Sequence, residues 1–140
     1  MINKIKYHLY LLFEGIIRNL GGGIGEKIRF YYYKRRVRSM GSNVKIGIGV
    51  SLHGPEFMEV GDNVWIDDYC SLYAGNTGPM EDREVKVIRN KSFRGKEGEL
   101  LIGSNIHLAP FCILHAFGGV ELQDNVGFSA GVKVYSMSNH

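Results

Sequence analysis

Histidines are the residues of this chain that could do acid–base chemistry near neutral pH. The sequence has five, and His140 is its last residue, shortly after Tyr135, Ser136, Ser138 and Asn139. A neutral imidazole, whose pKa is about 6.5, can take a proton from an attacking hydroxyl group. The neighbouring hydroxyl and amide groups could orient that imidazole or donate to a substrate. Position alone does not assign the role, because a terminal histidine is more often disordered.

A metal site is the other chemistry that histidines suggest. His53, His107 and His115 stand at what we interpret as three different registers and coils of the repeat described below, and no spacing typical of a zinc site joins them. We therefore predict no metal. His115 and Tyr135 stand one coil apart at one register, so the two rings are expected to stack. The stack is either a surface feature or a contact for a bound substrate or for His140.

The elements that must position these residues follow a six-residue period. Apolar residues recur in sets of three that begin at 40, 60, 102 and 122 (Met40, Ile46, Leu52; Val60, Ile66, Leu72; Ile102, Leu108, Leu114; Leu122, Phe128, Val134). An Asn and an aliphatic residue follow the first member of each set at the same offset. This period fits neither a helix nor a lone hairpin. It predicts short strands joined by tight bends, each turning one apolar side chain inward, as in a β-solenoid.

A basic, helical segment, residues 1–39, precedes the predicted solenoid, residues 40–140. Residues 2–20 have the pattern of an amphipathic helix, a glycine cluster at 21–25 predicts a break, and residues 26–39 predict a second helix with a solvated cationic face. Residues 1–40 hold nine Lys or Arg and two Glu, a net charge of +7, whereas the rest of the chain carries −4. The first helix is expected to cap the first coil, to pack in an oligomer, or to lie at a membrane surface.

Two further features complete the pattern. About residues 76–99 interrupt the period and predict a hairpin-like excursion from one solenoid corner, either on a binding face or as a tolerated loop. Cys70 and Cys112 occupy one small inward register in consecutive coils, so we predict buried free thiols rather than a disulfide. An apolar content of 44% and a charged content of 22% are ordinary for a globular domain. We find no apolar run long enough to span a bilayer.

These motifs resemble the hexapeptide-repeat acyltransferases, which implies a left-handed parallel β-helix; the general crossover rule would have favoured the opposite hand. The resemblance covers about residues 40–140 well and the first forty only loosely. The final stretch, D-N-V, A-G-V and V-Y-S with His140 at its end, is similar to sugar O-acetyltransferases of the maltose and galactoside type. The stretch M-G-S-N-V-K-I-G-I-G-V after the N-terminal helices resembles acetyltransferases of bacterial surface-polysaccharide assembly.

The resemblance implies that His140 is the catalytic base, with His115, Tyr135, Ser136 and Asn139 near the substrate. It also implies acetyl-CoA as acyl donor without a metal, a homotrimer, and a saccharide or lipid-linked sugar as acceptor. The chain departs from the family pattern at Ala130, Phe111 and His115, and His140 lies one residue further along than usual. We therefore expect altered acceptor contacts. Members of the family continue for several coils after the catalytic histidine, so we also expect a longer reading frame with more six-residue periods.

The function predicted is acetyl-CoA-dependent O-acetylation of a sugar hydroxyl in bacterial surface-polysaccharide synthesis. The protein is expected to be cytoplasmic, with peripheral contact at the inner face of the cytoplasmic membrane, and not to bind nucleic acid. Two alternatives stay open. One keeps the fold and acetylates an amine on a nucleotide-linked sugar. The other is a truncated, non-catalytic oligomerisation module.

Overall fold

The computed structural model describes residues 2–75 and 90–137. Within these ranges the chain forms two α-helices, α1 (Ile2–Asn19) and α2 (Gly22–Lys34), followed by twelve short strands and a single 3-10 turn at Pro55–Phe57. The strands are β1 (Ser39–Met40), β2 (Val44–Ile46), β3 (Ser51–His53), β4 (Met58–Val60), β5 (Val64–Ile66), β6 (Ser71–Tyr73), β7 (Leu100–Ile102), β8 (Ile106–Leu108), β9 (Ile113–His115), β10 (Val120–Leu122), β11 (Gly127–Phe128) and β12 (Lys133–Tyr135).

The strands wind into a left-handed parallel β-helix, which confirms the predicted fold class. Each strand pairs in parallel with the strand one coil further on, and this gives three four-stranded sheets. The first sheet is β1-β4-β7-β10, the second is β2-β5-β8-β11, and the third is β3-β6-β9-β12. Three flat faces and three corners therefore repeat in every coil.

The register of the sheets matches the six-residue sets. In the first sheet Met40 pairs with Val60, Val60 with Ile102, and Ile102 with Leu122. The second and third members of each set pair in the same way in the other two sheets. Inward residues such as Ile46 and Leu108 are fully buried, and burial of each side chain of this size contributes about 1.5–3 kcal/mol. One stacked aliphatic core thus holds the tube together.

Asparagines turn the chain at one corner of every coil. Asn43, Asn63, Asn105 and Asn125 have φ between 53° and 64°, a left-handed conformation that Asn adopts more readily than most residues. Their side-chain amides form a ladder in which each Nδ2 group donates to the Oδ1 atom one coil further on, at 2.8, 3.2 and 3.0 Å. The repeated Asn therefore serves both the bend and the stacking of the coils.

The two cysteines are free thiols, as predicted, and both are fully buried. The Sγ atom of Cys70 lies 3.2 Å from the carbonyl oxygen of Ala109, and that of Cys112 lies 3.3 Å from the carbonyl oxygen of Ser129. Burial raises the pKa of the Cys70 thiol to about 11. A thiol held in this way fills space and is a poor nucleophile at neutral pH.

The second helix covers the first coil. Tyr33 is fully buried and its hydroxyl donates to the carbonyl oxygen of Val50 at 3.2 Å. Arg29, which the sequence placed on a solvated face, is buried instead; its Nε atom donates to the carbonyl oxygen of Ile46 at 2.8 Å and its guanidinium also reaches that of Leu20. The carbonyl group of Ile46 in the first coil and that of Leu20 between the two helices both need donors, and Arg29 supplies them.

A break separates the two helices, but it lies at Leu20 and Gly21 rather than across residues 21–25, because α2 begins at Gly22. Glycine is needed where the two helices approach: a Cβ atom on Gly25 would lie 2.1 Å from the carbonyl oxygen of Leu20. The helix also ends at Lys34, earlier than the sequence indicated. Neither helix that the structure describes is long and apolar enough to cross a bilayer.

The excursion leaves the solenoid after β6 and rejoins it at β7. Its residues 76–89 lie outside the described part of the chain. From residue 90 onward the segment folds back on the same corner: the amide of Gly75 donates to the carbonyl oxygen of Gly98 at 2.7 Å, and Arg94 pairs with Glu121 at 2.6 Å.

Candidate functional site

The described candidate residues lie at the corner where the third sheet leads into the first. His115 and Tyr135 are the last residues of β9 and β12, one coil apart, and Ser136 follows directly. The excursion leaves from the same corner, two coils before Tyr135. The six-residue period therefore brings together residues that are 20 or more positions apart in the chain.

Four stacked rings mark this corner. His53 stacks on Tyr73 with ring centroids 4.4 Å apart, Tyr73 on His115 at 5.4 Å, and His115 on Tyr135 at 5.4 Å. The predicted stack of His115 on Tyr135 is confirmed, and it continues for two more coils. Aromatic pairs of this kind contribute about 0.5–1.5 kcal/mol each beyond area burial. The same twenty-residue spacing in the sequence could have identified the whole column.

His115 is half-buried within the column. Phe117 packs against it edge to face, with centroids 4.1 Å apart. Its Nδ1 atom is buried and has no hydrogen-bond partner among the residues that the structure describes. A buried ring nitrogen without a partner is unfavourable.

Ser136 ties the third coil to the fourth. Its hydroxyl donates to the carbonyl oxygen of His115 at 2.9 Å and accepts from the amide of Gly118 at 2.9 Å. A hydroxyl has one hydrogen and two lone pairs, so the second lone pair remains for another donor. Ser136 can therefore accept a hydrogen bond from a bound sugar, but it cannot donate one without losing its bond to His115.

A cleft of about 1280 Å³ opens beside Ser136. Residues of the 90–97 segment form one wall, and Gly118, Gly119, Glu121 and Ser136 belong to the other. Ligand sites are usually concave, with apolar walls and a few polar groups, and this volume exceeds the size of most small-molecule pockets. It is wide enough for a sugar with a second substrate. Sequence reasoning left open whether the excursion lies on a binding face or is a tolerated loop, and it missed Glu121.

The charge of the cleft is mixed. Lys91, Lys96 and Glu97 lie on the excursion side. Burial opposes ionisation of Glu121, but hydrogen bonds from the Arg94 side chain and backbone outweigh that effect and lower the pKa of its carboxyl group. The exposed Arg94 is thereby held against the solenoid. Glu121 is already paired with Arg94, and on the excursion side Lys91 and Lys96 outnumber Glu97. The described walls of the cleft are therefore suited to an anionic ligand.

His107 does not belong to this corner. His107 lies on the second sheet, where its Nε2 atom is 2.9 Å from an Asp67 carboxylate oxygen and its ring is close to that of Trp65. The interpretation that His53, His107 and His115 stand at three registers is wrong, since His53 and His115 share one register through Tyr73. Their rings stack in one column rather than converging. No cluster of three metal-ligating side chains occurs in residues 2–75 and 90–137.

His140 and Asn139 lie outside the described residues. Their assignment as catalytic base and substrate contact therefore stays a prediction. The same holds for the roles of His115, Tyr135 and Ser136, although the structure does bring these three together.

Comparison with known proteins shows that the chain is similar to a sugar acyltransferase. The chain is 29% identical over 103 residues to a dTDP-4-amino-4,6-dideoxy-D-glucose acyltransferase of Escherichia coli. The match covers 74% of this chain and 43% of that protein, so the chain spans less than half the length of the relative. No protein-family model matches the chain, and no solved structure matches it.

Proposed function

We propose that the protein transfers an acyl group from acyl-coenzyme A to a sugar, with acetyl-CoA as the donor and a sugar hydroxyl as the acceptor. The observation that carries this proposal is the left-handed β-helix together with the 103-residue similarity to a sugar acyltransferase. The candidate site for this reaction is the corner that holds His115, Ser136 and the cleft.

In the proposed reaction His140 acts as general base. The imidazole takes the proton of the sugar hydroxyl as its oxygen attacks the thioester carbonyl carbon. The carbon–sulfur bond then breaks, and the coenzyme A thiolate leaves with that proton. The products are a sugar ester and free coenzyme A. A base in this position typically contributes about 10²–10⁴-fold to the rate.

Chain geometry supports a place for His140 near the described corner. His140 is four residue steps beyond Ser136, and four steps span at most about 14 Å. Within that reach, the exposed ring of Tyr135 at the end of the column offers a face against which a sugar can pack, and Ser136 offers a free lone pair. Asn139 is proposed to contact the acceptor.

A second candidate is N-acylation of an amino group on a nucleotide-linked sugar. It is favoured by the relative, whose name specifies a dTDP-linked amino sugar. The two products differ in stability, because an ester is hydrolysed by mild base whereas an amide survives. Mass spectrometry of the product before and after mild base treatment therefore distinguishes hydroxyl from amine acceptors.

The partners proposed are a saccharide or lipid-linked sugar and two further copies of the chain in a homotrimer. The flat faces of the β-helix give surfaces that such a symmetric assembly needs. The proposed setting is surface-polysaccharide synthesis at the cytoplasmic side of the membrane. Light scattering on the purified protein measures the stoichiometry directly.

The proposal is tested by His140→Ala in the protein as it is encoded, with release of the coenzyme A thiol as the assay. We expect a fall in kcat of about 10²–10⁴-fold, while acetyl-CoA still binds by calorimetry. His107→Ala is the matched control, because it removes an exposed histidine on the second sheet, away from the candidate corner, and should stay close to the parent. Absence of acetyl-CoA binding, with no effect of His140→Ala, would instead identify a non-catalytic module.

A further inference from the structure

The first helix presents an uncovered apolar face. Ile5, Leu9, Leu12, Phe13 and Ile16 are each between 55% and 64% exposed. At 100° per residue they fall within an arc of about 100° on one side of α1, and we call this set the α1 stripe. Large apolar side chains on soluble domains are seldom left together in this way, and such a patch marks an interaction surface.

Apart from Phe13, whose ring is edge to face with that of Tyr32 with centroids 6.5 Å apart, the α1 stripe points away from the described part of the chain. The opposite side of α1 contacts α2: Ile17 is buried, and the hydroxyl groups of Tyr10 and Tyr32 lie 3.0 Å apart. Glu14 also faces α2, with a carboxylate oxygen 3.5 Å from the Tyr33 hydroxyl. Folding of the described chain therefore satisfies one side of α1 and leaves the other without a partner.

Charge indicates what covers the α1 stripe. Lys4 and Lys6 are exposed and lie about 100° to either side of Ile5, along the two edges of the stripe. Residues 1–40 carry nine basic and two acidic side chains, so the surroundings are also cationic. An apolar stripe bordered by lysines is the pattern of a helix that lies in the plane of an anionic membrane.

We propose that α1 binds the surface of an anionic lipid membrane, with the α1 stripe inserted among the acyl chains and Lys4 and Lys6 at the headgroups. The helix lies on the bilayer and does not cross it. The α2 helix and the solenoid are then held on the aqueous side. That this brings the enzyme to a lipid-linked sugar rests on the proposed function; the membrane contact itself does not.

A second copy of the chain fits the α1 stripe less well. Parallel pairing of two stripes would bring the lysines of both helices together, and like charges along a helical seam oppose pairing. Antiparallel pairing would place the lysines at opposite ends of the seam, where no carboxylate of α1 other than Glu14 could meet them. Glu14 could not neutralise them, because it is turned toward α2 and Tyr33. Anionic lipids supply the missing counter-charge, whereas another α1 helix does not.

The experiment is sedimentation of the full chain with phosphatidylcholine vesicles and with vesicles that contain about one third phosphatidylglycerol. The parent protein should bind the anionic vesicles at least about tenfold more tightly, and 0.5 M salt should weaken that binding. Leu9→Glu combined with Leu12→Glu should lower binding by about 100-fold or more. Lys4→Gln combined with Lys6→Gln should lower it by about tenfold on anionic vesicles alone.

Leu11→Glu is the matched control. Leu11 is 45% exposed on the same helix but lies outside the arc of the α1 stripe, so its substitution should change binding by less than about threefold. Equal losses in Leu11→Glu and in the stripe variant would overturn the proposal, as would a parent protein that stays in the supernatant with anionic vesicles. A stripe variant that changes only the molar mass in light scattering would assign the face to a second copy. Acyl transfer to a water-soluble acceptor should be unchanged in the stripe variant, so failure of membrane binding and failure of the proposed function give different results.

Discussion

Replacement of Ser136 by Ala tests whether this side chain holds the candidate corner together. The substitution removes the bond from the hydroxyl to the carbonyl oxygen of His115 and leaves the amide of Gly118 without its acceptor. Each hydrogen bond contributes about 0.5–1.5 kcal/mol net, and together the two set an upper bound of about 3 kcal/mol. Both partners are only half-buried, so water can replace part of the loss. We therefore expect Ser136→Ala to lower the free energy of unfolding by about 1–2 kcal/mol.

The assay is urea denaturation followed through the fluorescence of Trp65, the single tryptophan of the chain. A change in the midpoint with an unchanged slope would show a loss of stability without a change in compactness. Ser136→Thr is the matched control, because it keeps the hydroxyl group. An alanine variant within about 0.3 kcal/mol of the parent would refute the reasoning, and so would a threonine variant that is as unstable as the alanine one.

A second substitution examines the same contact from the other side. A Cβ atom on Gly118 would lie 2.5 Å from the backbone oxygen of Ser136, so Gly118→Ala must push the two coils apart. The two substitutions share one contact, and contacting residues are not additive. We expect the double variant to be less unstable than the sum of the single variants by about 0.5 kcal/mol or more. Strict additivity would show that the corner is not held by this contact.

Two further predictions concern the body of the β-helix. Gly49→Ala should destabilise more than Gly131→Ala, by about 1–3 kcal/mol: both glycines have a positive φ, but only at Gly49 would a Cβ atom meet the ring of Tyr69, at 2.4 Å. Equal losses in urea denaturation would contradict this, and Tyr69→Ala should remove the difference. Burial raises the pKa of Cys70 from its ordinary value of 9.0 to about 11, so its contribution to stability is complete below pH 9 and is lost as the pH rises toward 11. The slope should approach about 1.4 kcal/mol per pH unit and should be steeper in the parent than in Cys70→Ala, as measured by denaturation between pH 8 and 11. Some slope above pH 10 should remain in both proteins, because burial also raises the pKa of Tyr32 and of Tyr33.

The proposed chemistry and the proposed membrane contact lie at different places in the molecule. The candidate corner is formed by β9, β12 and the excursion, whereas the α1 stripe precedes the first coil. This separation has a practical consequence: variants of the α1 stripe can be used to move the protein on or off a membrane without touching His115 or Ser136. Activity on a soluble acceptor therefore reports the proposed chemistry alone, whereas activity on a vesicle-bound acceptor also reports the proposed membrane contact.

The site was predictable where it depended on the repeat. His115 and Tyr135 stand twenty residues apart, and since one coil is twenty residues long their stacking followed from the count alone. The same count extends to His53 and Tyr73, so the error in assigning His53 to another register was avoidable. The pairing of Ser136 with Gly118 was not predictable, because it depends on the angle at which the chain turns each corner.

What the sequence alone determined is the winding of the tube. Apolar residues recur at every sixth position, and an Asn precedes the second strand of each coil. This pattern allows only one register in which all the aliphatic side chains are buried, because a slip of one residue would turn each of them outward. What only the tertiary structure decided is where the less periodic parts lie. Residues 2–34 predict amphipathic helices, but a helical pattern does not specify which neighbour covers which face. Arg29 became buried, and the α1 stripe stayed exposed, because α2 satisfies the end of the solenoid and leaves α1 only one side on which to pack.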